Sequence, residues 1–229
     1  MAHEFLVLAC LFLVPGLLVW FARPDLRGLM KRAVLLSLPF ATTEWLFYPE
    51  YWRPRFLFDL ADTLGFGLED VLFVSGLGAF SSTAYAVAFR RTVVAHGPPG
   101  RPWRRGLGAI LLVLGTAGAL VAVGVPILYA SVLAMVGGTG AVLAVRPDLR
   151  HPSLWGAGVS VLIYLGLCLV FEGLVPGVFE RTWRPSLLLR GTLLGVPLDE
   201  LLYGFGAGLC ATAFPAWIFG LGFTARRPH

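Results

Sequence analysis

Two pairs of adjacent carboxylates stand out in a chain that is poor in charge. Glu69-Asp70 opens the apolar stretch "LEDVLFVSGLGAF", and Asp199-Glu200 opens "LDELLYGFGAG". Two further acids, Glu44 in "TTEWLFYPEYW" and Glu172 in "LVFEGLV", lie near the ends of apolar runs that head toward the same side. Carboxyl groups set in oil can do acid–base work. Desolvation keeps one protonated as a proton donor, while a neighbour in a more polar setting stays ionised as a base and as the partner of a cation. A charge at mid-membrane costs about 2.5–3.5 kcal/mol on insertion scales, and less toward the interface. Six acids near one depth therefore call for a reason.

Helix capping accounts for either doublet alone. Pro197 suits a first helical turn, and acids in that turn satisfy free N–H groups and complement the dipole. Trp52, Trp183 and the arginines near them fit interfacial anchors. Capping does not cover Glu44 and Glu172, because predicted helix C-termini disfavour negative charge. Helical spacing also stacks Glu69 with Phe73, Gly76 and Phe80, and Asp199 with Tyr203, Gly206 and Cys210. Such a stripe can line a slot for a flat apolar ligand; alternatively, its glycines let helices pack closely.

The elements that must hold these groups are membrane helices. The 229 residues are 57% hydrophobic and 14% charged, with mean hydropathy +0.79, against about 25% charged for soluble domains. The chain reads as an all-α integral membrane protein with seven spans: about 5–21, 33–48, 68–89, 107–124, 126–145, 154–172 and 196–220. The break at Gly124–Pro126 is required because one helix over 107–145 would reach about 58 Å, too long for one crossing. The second span is short, and so tilted or partly embedded. With no basic segment ahead of its apolar core, the N-terminus reads as a retained span rather than a cleaved signal.

Basic residues set the orientation. Connections 1–2 (Arg23, Arg27, Lys31, Arg32), 3–4 (Arg90, Arg91, Arg101, Arg104, Arg105), 5–6 (Arg146, Arg150) and the tail (Arg226, Arg227) hold thirteen; the other side holds Arg53, Arg55, Arg181, Arg184 and Arg190. The N-terminus is therefore predicted outside and the C-terminus in the cytoplasm, across a bacterial-type inner membrane. These short basic connections are topology signals, and no nucleic-acid partner is read from them.

The chain also repeats itself. "RPDLR" occurs at 23–27 and at 146–150, and "YWRPRFLFDLADTLGFGLEDVLFVSGLGAF" (51–80) is echoed by "TWRPSLLLRGTLLGVPLDELLYGFGAGLCA" (182–211). A shift of 130 aligns Glu69 and Asp70 with Asp199 and Glu200, and Gly76 and Gly78 with Gly206 and Gly208. Residues 1–92 and 126–229 are read as two three-helix units joined by a loop and connector helix at 93–125. Four crossings separate equivalent helices, which makes the repeat parallel.

This duplicated unit, with an acid pair opening each third helix, resembles the membrane-embedded lycopene cyclases of bacterial, archaeal and fungal type. In that family each half carries a Pro-x-Glu-Glu/Asp motif, and the halves are separate subunits or one chain. "VPLDELLYGF" matches at Pro197, Asp199 and Glu200, with Asp as the first acid. "FGLEDVLFVSG" matches at Glu69 and Asp70, with Gly67 in place of proline, and "TTEWLFYPEYW" is similar to the family's acidic-aromatic end of the second helix. The resemblance implies an intramolecular lyase or isomerase that cyclises the end of a linear polyene without a cofactor. Glu69, Asp70, Asp199 and Glu200 would be catalytic, with Glu69 and Asp199 facing the polyene and Asp70 and Glu200 as their partners. Glu44 and Glu172 would stand behind them, and Phe73, Gly76, Phe80, Tyr203 and Gly206 would line the substrate. Its partners would be the polyene, membrane lipids, and a second copy or other carotenoid-pathway enzymes.

Other classes fit less well. "GFGAG" lies inside an apolar helix with no strand before it, so it is no dinucleotide fingerprint, and "VSG" around Ser75 is no nucleophile elbow. His3, His96, His151 and His229 show no metal spacing; Cys10, Cys168 and Cys210 read as small core residues. The single lysine, Lys31, sits in a connection, so no helix lysine can form a retinal Schiff base. The lack of Asn and Gln removes glycosylation sequons and disfavours a polar-solute carrier. A non-catalytic carotenoid-binding or small-solute carrier protein is the alternative.

Overall fold

The computed structural model describes residues 3–97, 100–184 and 189–226. Arg227 and His229 of the tail, and residues 185–188 of the second repeated stretch, lie outside the described residues. Apolar runs become helices because a bilayer offers the backbone no other hydrogen-bond partner. The helices are α1 (Glu4–Ala22), α2 (Arg27–Ser37), α3 (Glu44–Phe47), α4 (Leu60–Leu64), α5 (Leu68–Ala88), α6 (Pro102–Ala122), α7 (Ile127–Val145), α8 (Arg150–Leu174), α9 (Val178–Thr182) and α10 (Leu198–Ile218). Among the described residues six are long and apolar enough to cross a membrane: α1, α5, α6, α7, α10, and α8 with the turn ahead of it.

The second predicted span is the exception. Here α2 passes into a 3₁₀ stretch at Leu38–Thr43 and resumes as the single turn α3. Pro39 stands at the start of the 3₁₀ stretch, where it removes an amide donor and crowds the carbonyl four residues back. Glu44 therefore opens a short helix instead of closing a long one, which corrects its expected place. The expected break between the fourth and fifth spans is present: α6 ends at Ala122, α7 starts at Ile127, and Gly124 turns the chain at φ 91°, a conformation that suits glycine.

Two short antiparallel ladders add to the helices. Strand β1 (Arg91–Ala95) pairs with β4 (Leu221–Ala225), and β2 (Thr192–Leu193) with β3 (Val196–Pro197). The two "RPDLR" stretches do the same job at opposite edges of the first ladder. Arg23 ends α1 at φ −133°, ψ 72°, and Arg146 ends α7 at φ −133°, ψ 69°. Each guanidinium makes a two-pronged pair with the aspartate two residues on, at 2.9 and 2.7 Å for Asp25 and 2.8 and 2.7 Å for Asp148. Each then donates to the carbonyl of the first residue of a strand, Arg23 to Arg91 (2.6 Å) and Arg146 to Leu221 (2.8 Å). The paired guanidinium holds the Asp25 carboxyl below its ordinary range.

At the centre, α5 and α10 pack on each other and on α8; glycine notches on α5 take α1 and α2, and those on α10 take α7 and α8. A Cβ on Gly76 would lie 2.5 Å from the carbonyl oxygen of Phe12 on α1, and one on Gly206 would lie 2.9 Å from Met135 Cε on α7. Gly78 meets Ser37 Oγ of α2 at 2.9 Å, and Gly208 meets Ser160 Cβ of α8 at 2.7 Å. Lipid tails are as apolar as leucine, so close backbone packing of this kind takes over from the hydrophobic effect in holding helices together. Ser81 and Ser160 share a hydrogen bond of 2.5 Å where α5 meets α8.

These notches make opposite predictions for two glycines. Gly76→Ala should lower the unfolding free energy in detergent by about 1–3 kcal/mol, the usual cost of overpacking. Gly158→Ala on α8, where nothing lies within 4 Å, should leave it unchanged or slightly raised. Equal Tm values for the two variants would contradict the packing described.

Candidate active site

The site is built where the two repeated aromatic-basic stretches cross. Trp52 and Trp183 form an isolated antiparallel bridge, with Arg53 N donating to Thr182 O and Arg184 N to Tyr51 O, both at 2.8 Å. Their rings lie 4.9 Å apart. Both tryptophans are 7% exposed, so they are not lipid-facing anchors. Each indole N–H donates to a carboxylate, Trp52 to Glu44 at 2.6 Å and Trp183 to Glu200 at 2.7 Å.

Glu200 collects two more donors, the hydroxyls of Tyr51 at 2.7 Å and Tyr164 at 2.5 Å. Glu44 faces Asp70 within hydrogen-bond range. Asp70 also accepts the Gly67 amide at 2.7 Å, the capping role that its position in the first turn anticipates. Glu44, Asp70 and Glu200 together line one cavity of about 60 Å³, with Tyr51, Trp52, Phe73, Tyr164, Trp183 and Tyr203 among its walls.

The two acids expected to face the substrate lie elsewhere. Glu69 is fully buried, with one oxygen accepting the Leu57 amide at 2.5 Å and the other unpartnered. Asp199 accepts the Tyr129 hydroxyl at 2.7 Å, and that hydroxyl accepts the Leu189 amide at 3.1 Å. Neither lines the cavity. The cause is the glycine stripe. Gly76 and Gly206 turn their faces of α5 and α10 toward α1 and α7, and carry Glu69 and Asp199 round with them. The next residue along, about 100° further round, then points inward: Asp70 and Glu200.

The remaining candidates divide in the same way. Phe73 and Tyr203 line the cavity. Gly76 and Gly206 are packing notches, and Phe80 is buried against Phe12 with ring centroids 5.9 Å apart. Glu172 takes the Gly177 amide at 2.6 Å and stays outside the cavity, whereas Glu44, placed behind the doublets from sequence, lines it. Sequence reading did not single out Tyr51, Tyr129 or Tyr164. A signal existed for Tyr51, which adjoins Trp52 at the head of the repeated stretch.

A second cavity of about 160 Å³ leads away from the first. The two share Phe40, Thr43, Phe47, Val74 and Tyr203 as walls, so the longer, apolar corridor adjoins the acidic pocket. Ala33, Leu77, Ala109, Val113, Met135 and Phe214 are among the apolar residues of the longer part. Its α10 wall runs from Tyr203 to Ile218, a helical rise of about 22 Å. The shape suits a long, narrow, apolar molecule whose end reaches the carboxyl groups.

These features define a helical membrane protein with a carboxyl cluster at the end of an apolar corridor. Residues 126–218 match the model of the lycopene cyclase family, and the match supports assigning the chain to that family. The matched segment carries Tyr129, Tyr164, Trp183, Asp199 and Glu200. No curated protein and no solved structure matches the chain significantly.

Removing one donor from Glu200 leaves a buried carboxyl short of a partner, which costs about 1–3 kcal/mol. Trp183→Phe and Tyr51→Phe should each lower thermal stability in detergent by that amount. Trp45→Phe, at a site 64% exposed, should stay within about 0.5 kcal/mol of the parent. Equal stability of all three variants would contradict the donor set.

Proposed function

We propose that the protein is a lycopene-type carotenoid cyclase that closes an end ring on a linear polyene inside the membrane, by acid–base chemistry alone. The observation that carries this reading is the meeting of three carboxyl groups, with unlike partners, at the end of an apolar corridor. The family match of residues 126–218 supports the same class.

The partners divide the roles. Two carboxyls within hydrogen-bond range in a low dielectric share one proton rather than both ionising, which makes the Glu44–Asp70 pair the acid. Glu200 accepts from three O–H and N–H groups, a donor set that fits a carboxylate and makes it the base. The acid pair delivers a proton to the terminal double bond, and a tertiary cation forms. A neighbouring alkene attacks that cation, closes the ring and moves the charge onto a ring carbon. Glu200 faces this charge and removes an adjacent proton, which forms the new ring double bond. One proton enters and one leaves, so the balance calls for no oxidant or reductant. The ring faces of Trp52, Trp183, Phe73 and Tyr203 add cation–π stabilisation along the path.

The same reading takes the two halves as copies of one three-helix unit running in parallel. The paired arginine clamps, the matched glycine notches and the Trp52–Trp183 bridge support it. Residues 27–47 then make the second of seven crossings; in line, α2, the 3₁₀ stretch and α3 would span about 34 Å, because the 3₁₀ part rises 2.0 Å per residue. The excess of arginine in the connections on one side supports an external N-terminus and a cytoplasmic C-terminus in a bacterial-type inner membrane.

Expression in a lycopene-accumulating bacterial host, followed by pigment chromatography, tests the reading. The chain should convert lycopene to ring-bearing carotenoids. Unchanged lycopene, with the protein present in the membrane, would overturn it.

A further inference from the structure

The repeated stretches align Val74 of α5 with Gly204 of α10, yet the space beside them is used differently. Val74 is a wall of both the acid pocket and the long corridor. At Gly204 the corresponding space is taken by an aromatic ring, since a Cβ there would lie 2.9 Å from Cγ and 3.0 Å from Cδ2 of Tyr164. Tyr164 is 1% exposed, meets the edge of Phe12 with centroids 4.9 Å apart, and donates its hydroxyl to Glu200. Cys168 and Phe171, both fully buried, continue the filling along α8.

The outer walls differ as well. The corridor runs along the 3₁₀ stretch at residues 38–43, where the broken helix leaves room, and α6 closes it with Ala109, Val113 and Ala117. On the other side α8 stays α-helical through to Leu174, and among the described residues no second connector helix forms a matching wall.

We propose that Tyr164 is a specificity-determining residue that confines the protein to one polyene chamber, by filling the counterpart of the corridor in the second half. This rests on the polyene reading above. A linear polyene then offers one end at a time, and closing a second ring requires release and re-entry with the other end leading.

Stoichiometry tests it. The purified chain is saturated with lycopene in detergent, and total bound carotenoid is measured against protein. The unmodified chain should hold one carotenoid per chain, and Tyr164→Phe, which keeps the ring, should also hold one. Val74→Phe should block the single corridor and reduce binding to below about a tenth. Ala109→Phe, which narrows it from the α6 side, gives an independent block should Val74→Phe fail to fold. Two carotenoids on the unmodified chain, or one retained by a folded blocking variant, would overturn the single chamber while leaving the polyene reading intact. No bound carotenoid on the unmodified chain would overturn both.

Discussion

Carboxyl groups placed in an apolar interior need donors, and the local structure around the site supplies them. Trp52 and Trp183 are brought together by a backbone bridge, and each spends its single N–H on a different acid. Tyr51 and Tyr164 reach Glu200 from different halves of the sequence. Gly67 has its amide free for Asp70 because it stands just ahead of α5. Removing any of these donors leaves a buried polar atom unsatisfied, at a cost comparable to a sizeable fraction of the stability of a typical domain. The cluster is therefore held by the fold as a unit, and it dictates where the chain must break, cross and turn around it.

Near-repetition supplies the frame, and departures from repetition supply the site. The arginine clamps and glycine notches recur with almost the same geometry 123 to 130 residues apart, and they fix α5 and α10 as the two central helices. The acids do not recur in that way. Glu44 is delivered inward by a helix broken at Pro39, while Glu172 sits near the end of an unbroken helix and turns to the Gly177 amide. Asp70 is both cap and pocket wall; Glu200 has three side-chain donors and no capping role. One half thus contributes two facing carboxyls and the other a buried carboxyl with three side-chain donors, the unlike environments that the proposed acid–base chemistry requires.

Much of this was legible in the sequence. Apolar run lengths gave the crossing helices, and "GVP" marked the turn between α6 and α7. The doublets, Glu44, Phe73 and Tyr203 were singled out, and Asp70, Glu200, Glu44, Phe73 and Tyr203 line the pocket. The facing direction was not legible. A stripe at helical spacing marks a face without saying what covers it, and here α1 and α7 pack on its glycines, Gly76 and Gly206, while Phe73 and Tyr203 at its edge reach the pocket. The broken second span was underestimated because hydropathy does not register a proline's effect on helix type. The tryptophans read as interfacial anchors because an indole beside arginines looks the same in sequence whether its N–H meets a headgroup or a buried carboxylate. The β1–β4 ladder joins segments some 130 residues apart, a pairing that local pattern cannot reveal.

In the proposed mechanism the second acid of each doublet, with Glu44, carries the chemistry. Conversion of lycopene by membranes bearing single amide substitutions tests it most directly, because Gln or Asn at Glu69 and Asp199 still accepts the Leu57 amide and the Tyr129 hydroxyl. Asp70→Asn, Glu200→Gln and Glu44→Gln should each lose at least about a hundredfold in rate, the usual range for a general acid or base. Glu69→Gln and Asp199→Asn should stay within about tenfold of the unmodified chain. The reverse pattern, with the first acids essential and the second dispensable, would contradict the account.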